Sequence, residues 1–108
     1  MSTPTPLATW LASRTPPTPA ALAERVTAMT AEHGSGAPVE SLLASAEAAM
    51  ATLLHDGCLT RSSALDLLAI DALVTYAFEA AADEPRLLDD RARRVLAMMA
   101  SLAEPYRA

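Results

Sequence analysis

The sequence predicts an all-α protein, a small bundle of four main helices plus a short N-terminal helix, and three observations predict it. The chain of 108 residues holds 25 Ala and 16 Leu against one Trp, one Phe and two Tyr. Ala and Leu lose little entropy in a helix, while the β-branched and aromatic residues that favour strands are scarce. Apolar residues recur at i, i+3, i+4 and i+7 over long stretches, the period of a helix with one buried face. Between those stretches stand Pro and Gly, at 15–19, 34–38, 57 and 85, where each helix should stop or restart. The length fits a single domain over 1–108, with 1–5 and 104–108 expected as flexible ends.

The first helix is expected over 6–14, with Thr5 as N-cap, Pro6 at the first helical position and Leu7, Trp10, Leu11 and Arg14 on one side. Pro16, Pro17 and Pro19 end it, because each removes a donor and pushes the preceding residue out of the α region. Thr18 then serves as N-cap for a second helix over 19–33, whose Leu22, Val26, Met29 and His33 share a face. Gly34 and Gly36 close that helix in a flexible linker. The third helix, 39–55, has the clearest periodicity, through Val39, Leu42, Leu43, Ala46, Ala49, Met50, Leu53 and Leu54. Gly57 is placed to take a left-handed position after it, with Cys58 returning to Leu53 as in a Schellman cap.

The fourth helix, 63–82, begins at Ser63-Ala64-Leu65-Asp66, a capping box with Asp in place of Glu. Beyond that start only Asp71, Thr75 and Glu79 make a polar stripe, and nearly everything else is apolar. Such a helix asks for cover on several sides, which puts it at the middle of the fold. The fifth helix, 85–103, is expected to turn Leu88, Ala92, Val95, Met99 and Leu102 inward, with Asp89–Arg93 and Asp90–Arg94 as i, i+4 pairs on a solvated face.

Net charge is −5, and residues 32–82 hold seven acids against Arg61 alone. A phosphate-binding surface needs the opposite sign, so no nucleic-acid partner is expected. A single cysteine excludes an internal disulfide and a Cys-rich zinc module, and with no basic, apolar leader at the start the expected location is cytoplasmic. The apolar stretch 64–82 carries Asp66, Asp71 and Glu79, each costing about 2.5 kcal/mol or more at a bilayer centre, so no membrane span is expected.

One cluster joins a histidine, a carboxylate and a thiol: His55-Asp56-Gly57-Cys58. A nucleophile pair or metal site there would need further groups, and only His33 remains to help. A helix C-terminus explains the same residues, His55 favouring the dipole. Of the acids on the fourth helix, Asp66 lies about 140° from Asp71 around the axis, and Asp71 and Glu79 are two turns apart. They are expected at caps or in solvent, unless Asp71 is buried against Thr75. The chain has no glycine-rich phosphate loop, nucleophile elbow or His-Glu-x-x-His. No catalytic residue, metal site or cofactor is expected, and the protein is read as a non-enzyme. Trp10, Tyr76 and Phe78 are candidates to line a ligand pocket, and Met29, Met50, Met98 and Met99 to form an adaptable surface, but at helical spacing most of them are read as core.

The stretch Leu67-Leu68-Ala69-Ile70-Asp71-Ala72-Leu73-Val74-Thr75-Tyr76-Ala77-Phe78-Glu79 resembles a helix of the trans-prenyl diphosphate synthases, of the form Leu-Leu-(Ala/Gly)-x-Asp-Ala-Leu-Leu-Thr-x-Ala-Phe-Glu. The resemblance implies a packed central helix with an apolar cavity beside it, and Asp71, Thr75, Tyr76, Phe78 and Glu79 as candidate ligand-binding residues. It stops short of the chemistry: the paired Asp-Asp-x-x-Asp motifs are missing, and Asp89-Asp90-Arg91-Ala92-Arg93 ends on arginine where an acid is required. The expected function is that of a helical interaction or accessory protein, forming a homodimer or binding an unidentified protein. The alternative is a binder of a small, isoprenoid-like apolar ligand beside the fourth helix.

Overall fold

The computed structural model describes residues 6–32, 37–57 and 60–106, and all their regular structure is helical. The elements are α1 (Pro6–Ala12), α2 (Ala20–Thr30), α3 (Pro38–Asp56), α4 (Arg61–Ala81) and α5 (Leu88–Ala103), with 3₁₀ turns at Pro85–Leu87 and Glu104–Tyr106. The all-α bundle expected from composition and periodicity is thus the fold, though several ends move. Thr5, His33 and Cys58, with the cap and Schellman contact assigned to them, lie outside the described residues.

α3 and α4 form the most extensive helix pair, α2 crosses α4 and touches α3, and α1 reaches α3. Leu7, Val26, Leu42, Leu53, Ile70 and Leu73 meet in one apolar cluster. A smaller group of Val39, Ala80 and Ala81 sits beside it, and Trp10 and Leu43 pack against both. Alanine dominates the inner line of α4, with Ala69, Ala77, Ala80 and Ala81 all buried. Small side chains along that line leave room for α3 to pack closely. Two buried hydroxyls return to their own helix: Ser45 Oγ donates to the Ser41 carbonyl at 2.7 Å and Thr30 Oγ1 to that of Val26 at 2.9 Å.

Three terminal assignments are corrected. α4 starts at Arg61, because Thr60, in extended conformation, accepts from the Ser63 N–H at 3.0 Å and is the N-cap. Ser63 is instead buried, bonded to Thr60 Oγ1 at 2.9 Å, and Asp66 forms an ion pair with Arg25 that ties α4 to α2. α2 starts at Ala20 after Pro19 with no side-chain cap, and the Thr18 hydroxyl, expected to cap it, bonds the Tyr76 hydroxyl across 58 residues. Gly57 has the expected positive φ of 94°, but its ψ of 162° carries the chain away extended, while its N–H keeps the Leu53 carbonyl at 3.0 Å.

α5 departs furthest from the sequence reading. Its main neighbour is α3, and its one buried residue is Arg91. Leu88, Ala92 and Met99 are exposed, and Val95 and Leu102 only half-buried. Neither expected i, i+4 pair forms: Arg93 bonds Asp90 at 3.4 Å, and Arg94 reaches Glu40 on α3 at 3.7 Å. Glu40 competes for Arg94, offering a carboxylate from a neighbouring helix to which Arg91 also turns.

Candidate functional site

The five residues singled out on the fourth helix do not face one place. Tyr76 is half-buried, edge-on to Trp10 with ring centroids 6.0 Å apart and planes at 77°, and its hydroxyl is bound to Thr18. Glu79, one turn on, lies 3.6 Å from Arg14, whose guanidinium stacks over Trp10 at 3.9 Å. Tyr76 and Glu79 therefore clasp α1 and the α1–α2 link onto α4, the same contacts that seat Trp10 between the two apolar clusters. Such stacking and edge-on geometry is favourable for a guanidinium and for aromatic pairs.

Phe78 points elsewhere, 55% exposed, towards α5. It shares with Leu88, Ala92 and Val95 a cleft of about 20 Å³. Asp71 and Thr75 are exposed, and no hydrogen bond joins them. Asp71 has no ion pair among the described residues. His55 and Asp56 are exposed in the last turn of α3. Among the described residues no three His, Cys, Asp or Glu side chains gather to hold a metal, and no helix is long and apolar enough to cross a membrane.

Sequence reasoning missed two features. The first is an ionic cluster under α5. Arg91, only 6% exposed, donates through Nε to Glu40 Oε1 at 3.4 Å and through Nη2 to Glu84 Oε1 at 3.0 Å. Burial works against its charge, but the two carboxylates outweigh burial and its pKa lies above the ordinary arginine value. One guanidinium thus joins α5, α3 and the turn after α4, a task its planar fork suits. Arg91 Nη1 and Glu40 Oε2 stay buried without a partner.

The second feature is a bare apolar surface. On α5 the half-buried Val95, Met98 and Leu102 fall in line with Arg91 and share its side of the helix. About a quarter-turn away, Leu88, Ala92, Leu96 and Met99 form a second stripe, with exposures of 51%, 66% and 56% for Leu88, Leu96 and Met99. α4 carries a partial counterpart: Leu67, Asp71 and Phe78, with the half-buried Val74 that also packs on the core, fall at i, i+4, i+11 and i+7, roughly a third of a turn from its core line through Leu73 and Ala77. The two stripes meet where Phe78 and Leu88 line their common cleft. A signal was present in the sequence, because the apolar arc of the fifth helix is wider than one neighbour covers. Which half stays bare depends on where Glu40 holds Arg91.

The chain matches no protein-family model, no curated protein and no solved structure.

Proposed function

We propose that the protein is a non-enzymatic helical interaction module, and that its working surface is the apolar face shared by α5 and the adjoining edge of α4. The observation that carries this reading is the set of large apolar side chains in water there: Leu67, Phe78, Leu88, Leu96 and Met99. The largest contiguous apolar patch on a monomeric protein typically measures about 300–600 Å² and is often a contact site. A neighbouring chain gains from covering these side chains about 25 cal/mol for each Å² removed from water.

A small apolar ligand beside α4 is the less favoured reading. The cleft at Phe78 holds about 20 Å³, where ligand pockets run to roughly 300–1,000 Å³, and the larger hollows beside α4, at Leu65 and Leu68 and at Ser63 and Asp66, are shallow and open to solvent. Copurification from the protein's own cells tests the interaction reading. The wild-type chain is expected to bring a stoichiometric protein, another copy included, and the doubly substituted Leu96→Glu, Met99→Glu chain to lose it. A wild-type chain that comes alone as a monomer and behaves as the variant does would overturn the proposal.

A further inference from the structure

We infer that the occupant of this surface is a second copy of the same chain, related by a two-fold axis, with the α5 stripe of each copy laid across the α4 stripe of the other. This rests on the interaction reading above and goes beyond it in naming the partner.

Charge is the first argument. A two-fold interface uses one patch twice, so that patch must be complementary to itself. Asp71 stands in the middle of the α4 stripe, exposed and without an ion pair among the described residues. Arg93, three residues before Leu96, borders the α5 stripe; it is 77% exposed and, among the described residues, pairs with Asp90 alone, at 3.4 Å. With α5 crossing the other copy's α4, Asp71 of each copy meets Arg93 of the other. The acid and base occur once in each chain and are used twice in the pair.

Area is the second. The five exposed side chains present on the order of 500 Å² of apolar surface, the size of the largest patch on an ordinary monomer. A stable complex buries roughly 800 Å² per partner, so these side chains supply the larger part of what a dimer needs. α5 supplies the third argument, because a 16-residue helix is marginal alone in water and this one buries a single residue, an arginine. A second α4 offers cover for the stripe that α3 leaves bare.

Sedimentation equilibrium on the full chain, at micromolar concentrations and low salt, tests the inference. The wild type is expected at twice 11.3 kDa. Leu96→Glu and Phe78→Glu should each raise the dimer dissociation constant by about tenfold or more. Asp71→Arg and Arg93→Asp should each weaken the dimer, and the two together should restore it. All four side chains are exposed, so circular dichroism should keep its helical signal. If a glutamate does reduce helicity, Leu96→Ala and Met99→Ala replace it, since alanine retains helix propensity.

A wild-type monomer at every concentration overturns the inference. The interaction reading still stands if the Leu96→Glu, Met99→Glu chain then loses a different copurified protein, and falls with it if nothing copurifies. A dimer indifferent to Leu96→Glu and Phe78→Glu uses another face and also overturns the inference. A dimer that these substitutions break but the charge exchange does not restore overturns the crossed arrangement.

Discussion

Arg91 is a charged residue at the position where an amphipathic helix would place a leucine, and its neighbours explain why it is tolerated. Two carboxylates from separate segments reach it, at 3.4 and 3.0 Å. Arg91→Ala removes both bonds but leaves Glu40 and Glu84 partly in water, so the expected loss is about 1–2 kcal/mol by chemical denaturation. Arg91→Lys should recover only part of it, since one ammonium cannot reproduce the fork. The pKa of Arg91 is raised, so its stabilisation is complete below the ordinary arginine value and is lost only as pH climbs through the higher folded one. Arg91 therefore contributes no slope to stability between about pH 5 and 9. At Gly57 the constraint is the backbone: a Cβ there would meet nothing within 4 Å, yet φ is 94°. Gly57→Ala is expected to cost about 1 kcal/mol and lower Tm by a few degrees, all of it from the dihedral.

At the scale of the element, α4 shows how propensity and context divide the work. Ser63 looked like an N-cap because an acid follows three residues on, but Thr60 caps the helix and the acid leaves for Arg25. Thr60→Ala should destabilise by about 1 kcal/mol, and Thr60→Ser should nearly preserve stability. Along the same helix, Leu73 is fully buried and Leu68 is 54% exposed. Leu73→Ala is expected to cost about 2–5 kcal/mol through the cavity it leaves, and Leu68→Ala no more than about 0.5 kcal/mol. Equal losses at the two sites would mean that Leu68 too is covered, in line with the cover on several sides that the sequence suggested.

For the whole molecule, stability should be unevenly spread. α3 and α4 share the main core with α2, while α5 rests on one neighbour and one buried ionic cluster. Local opening follows the density of buried contacts. Amides over Leu88–Ala103 should therefore exchange faster than those of α3 and α4 in dilute protein, and slow as concentration rises and a second copy covers the helix. Hydrogen exchange followed by mass spectrometry reads both effects, and an α5 rate independent of concentration would count against the two-fold pairing.

The helices themselves, their number and order, and the breaks at the prolines and Gly57 were legible in the residues alone. Periodicity, capping and chain stops act over a few neighbours, which a linear pattern records. Tyr76 and Phe78 were likewise legible as residues worth singling out, but only coordinates separate them, one clasping Trp10 and Thr18 and the other left bare beside α5. An apolar arc tells which faces a helix is able to bury. Which part it does bury is settled by the partner it meets, here by Glu40 holding Arg91 and turning the leucines of α5 outward.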